Sequence, residues 1–190
     1  MLVLVPWHVA SEDFHIRQRR DLKLNLSGLF NASPLSEQQL WCAVAAVAAA
    51  SAASAPSPAV PELNAEASLH LSPEAHATSH AAAAIMSMNN VYYHAKHLLV
   101  EMGVTSYENI PPRLRMQVIS THGGATKAEF EPWCFAVSAV NGCASCLVAH
   151  EQELRKADMS TEQIHEALRV AAVVKAVCIT LAGQTPQLVD

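Results

Sequence analysis

The sequence predicts an all-α protein built as a helical domain of two similar half-domains packed together. Alanine supplies much of the 51% hydrophobic content, while aromatic residues make up only 5%; alanine is the best helix former and a poor strand residue. Ser36-Glu-Gln-Gln39 and Ser160-Thr-Glu-Gln163 both have the pattern of a helix-opening capping box. Sliding the chain against itself by 92 residues puts Trp41-Cys42 on Trp133-Cys134, and after a change of offset Ser72 falls on Ser160. Such halves would each bury an apolar face against the other.

At 190 residues with mean hydropathy +0.17, the chain is a globular domain rather than a disordered one. Its formal charge of −5 has the wrong sign for gripping phosphates, which argues against nucleic acid and anionic membrane surfaces as partners. Residues 1–20 lack a clear period and are expected to form a poorly ordered extension, followed by one domain over 21–185 and a short tail over 186–190. The halves are expected over about 36–102 and 127–182. The Ser36 box opens a helix that the prolines at 56, 58 and 61 end. A second helix is expected over 62–71. Ser72-Pro73 then places a cap and a first-turn proline before a segment to about Met86, with further helix to Met102. Pro111-Pro112 and Gly123-Gly124 bracket a short helix expected at 113–120. Helix resumes near Lys127 or Glu131, pauses at Asn141-Gly142, restarts at Cys143, and the Ser160 box opens the last one.

No segment is apolar and long enough for a bilayer span, and the start lacks the basic region of a secretory signal, so a cytoplasmic location is expected. There the five cysteines are not a structural disulfide framework. Cys42, Cys134 and Cys178 sit in Ala/Val-rich helix as small core residues. Cys143 and Cys146 form a C-x-x-C pair, either a redox dithiol or half of a metal site. His150 follows Cys146 by one helical turn and Cys143 by two, which puts all three on one face, where an imidazole can accept a thiol proton. Glu131, on the preceding helix, returns to that face if the chain bends at Asn141-Gly142, although a first-turn acid is also an ordinary helix feature. The four side chains would also make a zinc set. His70, His76, His80, His94 and His97 read as a solvated face or scattered core residues. The helix terminus itself favours Cys143 as the more acidic thiol.

The run Glu131…Asn141-Gly-Cys143-Ala-Ser-Cys146-Leu-Val-Ala-His150-Glu151 resembles the alkyl hydroperoxide reductases of the alkylhydroperoxidase D family, within the wider carboxymuconolactone decarboxylase-like superfamily. Asp21-Leu-Lys-Leu-Asn-Leu-Ser27, Ala84-Ile-Met-Ser-Met-Asn-Asn90-Val-Tyr-Tyr and Phe135-Ala-Val-Ser-Ala-Val look like the same family. Ser145 stands where some members carry a histidine. The resemblance implies an all-α antioxidant peroxidase that reduces organic hydroperoxides. It has no tightly bound cofactor and is recharged by the dihydrolipoyl group of a lipoyl-bearing acyltransferase, with dihydrolipoamide dehydrogenase upstream. It further implies Cys146 as the sulfenic acid site, Cys143 as proton donor and resolving thiol, a reversible Cys143–Cys146 disulfide, and His150 and Glu131 as base and proton relay. A homotrimer and an association with the peroxiredoxin component of alkyl hydroperoxide reductase are also implied. On the order of the thiols the resemblance is followed over the helix-terminus argument, because His150 is nearer Cys146. A decarboxylase or isomerase of the wider superfamily, which would not need both cysteines, and a non-catalytic redox or zinc module are the competing classes.

Overall fold

A computed structural model of the protein describes residues 13–52, 56–117 and 124–183. Among the described residues the regular structure is seven α-helices and one 3-10 turn, with no strand. The helices are α1 (Asp13–Ala32), α2 (Glu37–Ala52), α3 (Ala59–His70), α4 (Pro73–Glu101), α5 (Lys127–Val140), α6 (Ala144–Lys156) and α7 (Thr161–Ala182); the 3-10 turn is Thr105–Tyr107.

Side-chain caps set where the helices begin. Ser36 Oγ accepts the Gln39 amide while Gln39 Oε1 accepts the Ser36 amide, both near 3 Å. Ser72 accepts from Ala75 N with Pro73 in the first turn, and Ser160 and Gln163 close the expected box on α7. Thr126-Lys-Ala-Glu129, which has the same pattern, forms a third box that starts α5. Each cap satisfies amides that have no partner inside the helix.

The architecture repeats. In each half a capped central helix (α2, α5) is followed by a shorter helix (α3, α6) and a capped helix (α4, α7). The two central helices pack on each other and on both α4 and α7. Small residues make this possible: Cys42 to Ala48 of α2 are all fully buried, and α5 buries nine consecutive residues from Phe130 to Ser138. A helix apolar on every side belongs in the interior. Glu131 is one of those nine, so it enters the core as part of the most buried element.

Two expectations are corrected. Residues 13–20 are the first turns of α1 rather than an extension, and Gln18 Nε2 reaches Thr180 Oγ1 on α7 at 3.3 Å. The short helix expected at 113–120 is absent over 113–117, because Pro111-Pro112 remove two donors and Arg113 takes φ +51°. The helix expected from Pro73 past Met86 toward Met102 is α4, which runs unbroken for 29 residues. Residues 1–12, 118–120, Gly123 and the 186–190 tail lie outside the described residues. No described helix is long and apolar enough to cross a membrane.

Candidate active site

The site lies where α5 turns into α6. Asn141 ends α5 and Gly142 takes φ +69°, the left-handed region that glycine enters without strain. The reversal lets α6 lie back against α5, with Cys143 as its N-cap. Cys143 N is held by Ser138 O at 3.1 Å, and Cys143 Sγ accepts the Cys146 amide at 3.4 Å. The two cysteines are disulfide-bonded, their Cα atoms 5.3 Å apart. Cys143 is fully buried and Cys146 is 7% exposed.

One turn beyond Cys146, His150 Nδ1 meets Glu131 Oε2 at 2.7 Å. Glu131 is 4% exposed, so this is a buried pair joining α6 to α5. The other ring nitrogen, Nε2, lies 3.2 Å from Met86 Sδ on α4. Among the described residues, His150 bonds to Glu131 and Met86 and to neither cysteine sulfur. Behind Met86 runs a buried polar chain: Ser138 Oγ contacts Met86 Sδ at 3.8 Å, Asn90 Nδ2 donates to Ser138 Oγ at 2.9 Å, and Asn141 Nδ2 donates to Asn90 Oδ1 at 2.9 Å. The chain ties the α5–α6 turn to α4, so the first half of the molecule holds the site of the second.

All four expected residues are thus brought together. Met86, Asn90 and Ser138 were not assigned to the site from the sequence, although they lie in the two segments, 84–93 and 135–140, that resemble the alkylhydroperoxidase D family. The alternative zinc set is these same four side chains, two of them bridged as a disulfide, and no described group of three or more His, Cys, Asp or Glu is placed to hold a metal. The histidines outside the site have separate partners: His70 stacks on Trp41 and bonds Glu37 at 2.8 Å, and His97 pairs with Glu101 at 3.1 Å.

Two openings flank the motif. A cavity of about 210 Å³ is lined by Tyr93, Lys96, His97, Val100, Glu108 and Ser145, and Ser145 Oγ is 3.6 Å from Cys143 Sγ. On the opposite side a cleft of about 220 Å³ exposes an edge of Glu131 between Lys127, Glu153 and Lys156. Hydrogen bonds from Lys127 and Lys156 hold the Glu153 carboxyl down at about 2, and the Glu153 bond holds the Lys127 ammonium above its usual range. The remaining thiols are the reverse of activated. Burial, aided by the nearby Glu129 charge, pushes Cys42 up to about 12; burial alone takes Cys178 to about 11; burial and the Glu131 charge lift Cys134 well above an ordinary thiol.

Residues 106–183, which contain the whole motif, match the carboxymuconolactone decarboxylase family. Over most of the chain the relatives are more specific. A protein of Streptomyces coelicolor named alkyl hydroperoxide reductase AhpD is 50% identical over 165 residues, covering 87% of this chain and 89% of that relative. Proteins of the same name from Hyphomonas neptunium and Mycobacterium bovis are 46% and 45% identical, covering 87% and 86% of this chain and 88% of each relative. The chain belongs to the alkyl hydroperoxide reductase AhpD family. It is therefore an oxidoreductase, and its dithiol, imidazole and carboxylate stand together at the α5–α6 junction of that family's all-α fold.

Proposed function

We propose that this protein reduces alkyl hydroperoxides through a Cys143/Cys146 dithiol–disulfide cycle. The observation that carries the proposal is the convergence of a bridged cysteine pair at the N-terminus of α6 with the buried Glu131–His150 pair one turn away. In the reduced site, His150 takes the Cys146 proton and Glu131 supports the imidazolium. The Cys146 thiolate attacks the hydroperoxide, the O–O bond breaks, Cys146 becomes a sulfenic acid, and the alkoxide leaves as an alcohol with the relayed proton. Cys143 then attacks the Cys146 sulfur, water leaves and the disulfide forms. A dithiol reopens it by exchange through a mixed disulfide. Cys146 suits the attacking role because it is the less buried sulfur, while Cys143 is enclosed as the cap.

The reductant is a dihydrolipoyl group on a partner acyltransferase, itself recharged by dihydrolipoamide dehydrogenase, in a cytoplasmic setting that keeps thiols reduced. The cavity bordered by Ser145 gives such an arm a route to the bridge. The peroxiredoxin component of alkyl hydroperoxide reductase is a further partner. The working assembly is a homotrimer: Val91 and Leu98 of α4, with Met102, Tyr107 and Ile110 beyond it, are 45–81% exposed apolar side chains that packing between protomers would cover. A decarboxylase, the activity in the broader family's name, would not need both cysteines. The deciding experiment is hydroperoxide consumption with dihydrolipoamide as sole reductant. Turnover that vanishes in Cys146→Ser supports the proposal; turnover that persists in that variant defeats it.

A further inference from the structure

A thioether can only accept a hydrogen bond, and so can an ionised carboxylate. His150 has one of each, Glu131 Oε2 at 2.7 Å from Nδ1 and Met86 Sδ at 3.2 Å from Nε2. If the pair holds one proton, one ring nitrogen is bare and faces an acceptor with nothing between them. Both contacts are satisfied together only when the pair holds two protons, either as imidazolium and carboxylate or as Nε2–H imidazole and carboxylic acid. Met86 is 1% exposed, so no water competes for its sulfur. Ser138 Oγ, itself anchored by Asn90 Nδ2, packs on the sulfur from the far side and fixes its place.

From this geometry we infer that Met86 is a positioning residue that holds the His150–Glu131 pair in its two-proton state while the cysteines are bridged. The inference rests on the peroxidase reading for its purpose. When a dithiol reopens the bridge, the Cys146 sulfur leaves as a thiolate, and the proton it needs is already one turn away on His150. In the peroxide step the same proton passes from Cys146 to His150 and on to the departing alkoxide, with Met86 accepting Nε2–H in between. Protons balance over the cycle with solvent: on reopening the pair gives one proton to Cys146 while the dithiol's own two go to Cys143 and to solvent, and the pair, left with one, relays the Cys146 proton to the alkoxide and takes its second proton back from solvent once the bridge has formed. The helices packed against α6 are α4 and α5. From α5 the group facing His150 is Glu131; from α4 it is uncharged Met86; on α6 itself it is Cys146. Lys127, Glu153 and Lys156 line a cleft with Glu131 and are the charged groups beside the pair.

The test is nitrogen-15 NMR of the His150 ring in the disulfide form at about pH 7, near the reference range for imidazole. In wild-type protein both Nε2 and one site on the Glu131–Nδ1 contact should carry a proton. Met86→Leu, which conserves volume, should lose the Nε2 proton and slow reopening of the bridge by dihydrolipoamide about tenfold. Met86→Gln, whose side-chain oxygen can accept, should restore both. A bare Nε2 in the wild-type disulfide form overturns the inference without recourse to any variant, as does a Met86→Leu protein that keeps the Nε2 proton. Because the readout is a proton count, it stands apart from peroxide turnover: loss of turnover with two protons present would defeat the peroxidase reading alone.

Discussion

The Glu131–His150 pair makes a quantitative prediction about how its two members combine. Replacing His150 with Phe removes the base, which typically contributes ~10²–10⁴-fold to the rate. It also leaves Glu131, 4% exposed, without its hydrogen-bond partner at 2.7 Å. Breaking a buried pair by removing one partner costs ~3–5 kcal/mol, and the lower end is expected here because the cleft beside Lys127 lets solvent reach one edge of the carboxylate. Glu131→Gln keeps an acceptor but loses the charge, so its rate loss should be smaller, about 10–10²-fold, since it acts through the imidazole. Combining the two should be no slower than His150→Phe alone, because the carboxylate has no imidazole left to support. The combination should also recover about 1–3 kcal/mol of the stability lost in His150→Phe, since the buried charge is gone. Single-turnover reduction of an alkyl hydroperoxide by pre-reduced protein gives the rates, and urea denaturation the stabilities. All rate losses should shrink as pH approaches the free-thiol value of ~8.5, where hydroxide makes the thiolate directly. Rate losses that multiply in the double variant would mean the two residues act independently, contrary to the relay.

Further outcomes concern the thiols and the assembly. Thiol alkylation of the reduced native protein should modify Cys143 and Cys146 and spare Cys42, Cys134 and Cys178; at about 12 instead of 9.0, Cys42 holds roughly a thousandth of the ordinary thiolate. Rapid labelling of all five would contradict the burial assigned to them. These buried thiols ionise later in the folded than in the unfolded chain. The stability they contribute is fully present below about pH 9 and lost as pH rises through about 11 and 12. Denaturation curves should therefore weaken over that window, and less steeply in Cys178→Ala. Light scattering should report a trimer near three times the 20.4 kDa chain mass; a monomer at micromolar concentration would refute the apolar-surface argument.

Local chemistry made much of this structure legible. The Ser36, Ser72 and Ser160 caps satisfy amides within four residues of themselves, so their helices could be placed from the sequence. Cys143, Cys146 and His150 share one helix face by period alone, and Gly142 marked the turn that brings Glu131 back. Contacts across long separations were not legible. Met86 meets His150 from 64 residues away and Asn90 meets Asn141 from 51, and nothing in the local pattern of α4 distinguishes a methionine that faces a histidine from one that fills space. Residues 13–20 looked irregular in isolation, and the helix they open packs against α7. Over 113–117 no helix forms, and the left-handed Arg113 after Pro111-Pro112 gave no signal in the local pattern.

The mechanism turns on Cys146 being the sulfur that meets the hydroperoxide and Cys143 the one that resolves it. Helix-terminus electrostatics alone favour Cys143, whereas its role as a fully buried cap, against the 7% exposure of Cys146 one turn from His150, favours the opposite order. Treating pre-reduced Cys143→Ser and Cys146→Ser proteins with one equivalent of alkyl hydroperoxide, then trapping sulfenic acid with dimedone and mapping it by peptide mass spectrometry, decides between them. An adduct on Cys146 in Cys143→Ser, and none in Cys146→Ser, is the expected result. An adduct on Cys143 in Cys146→Ser, with Cys143→Ser inert, would contradict it.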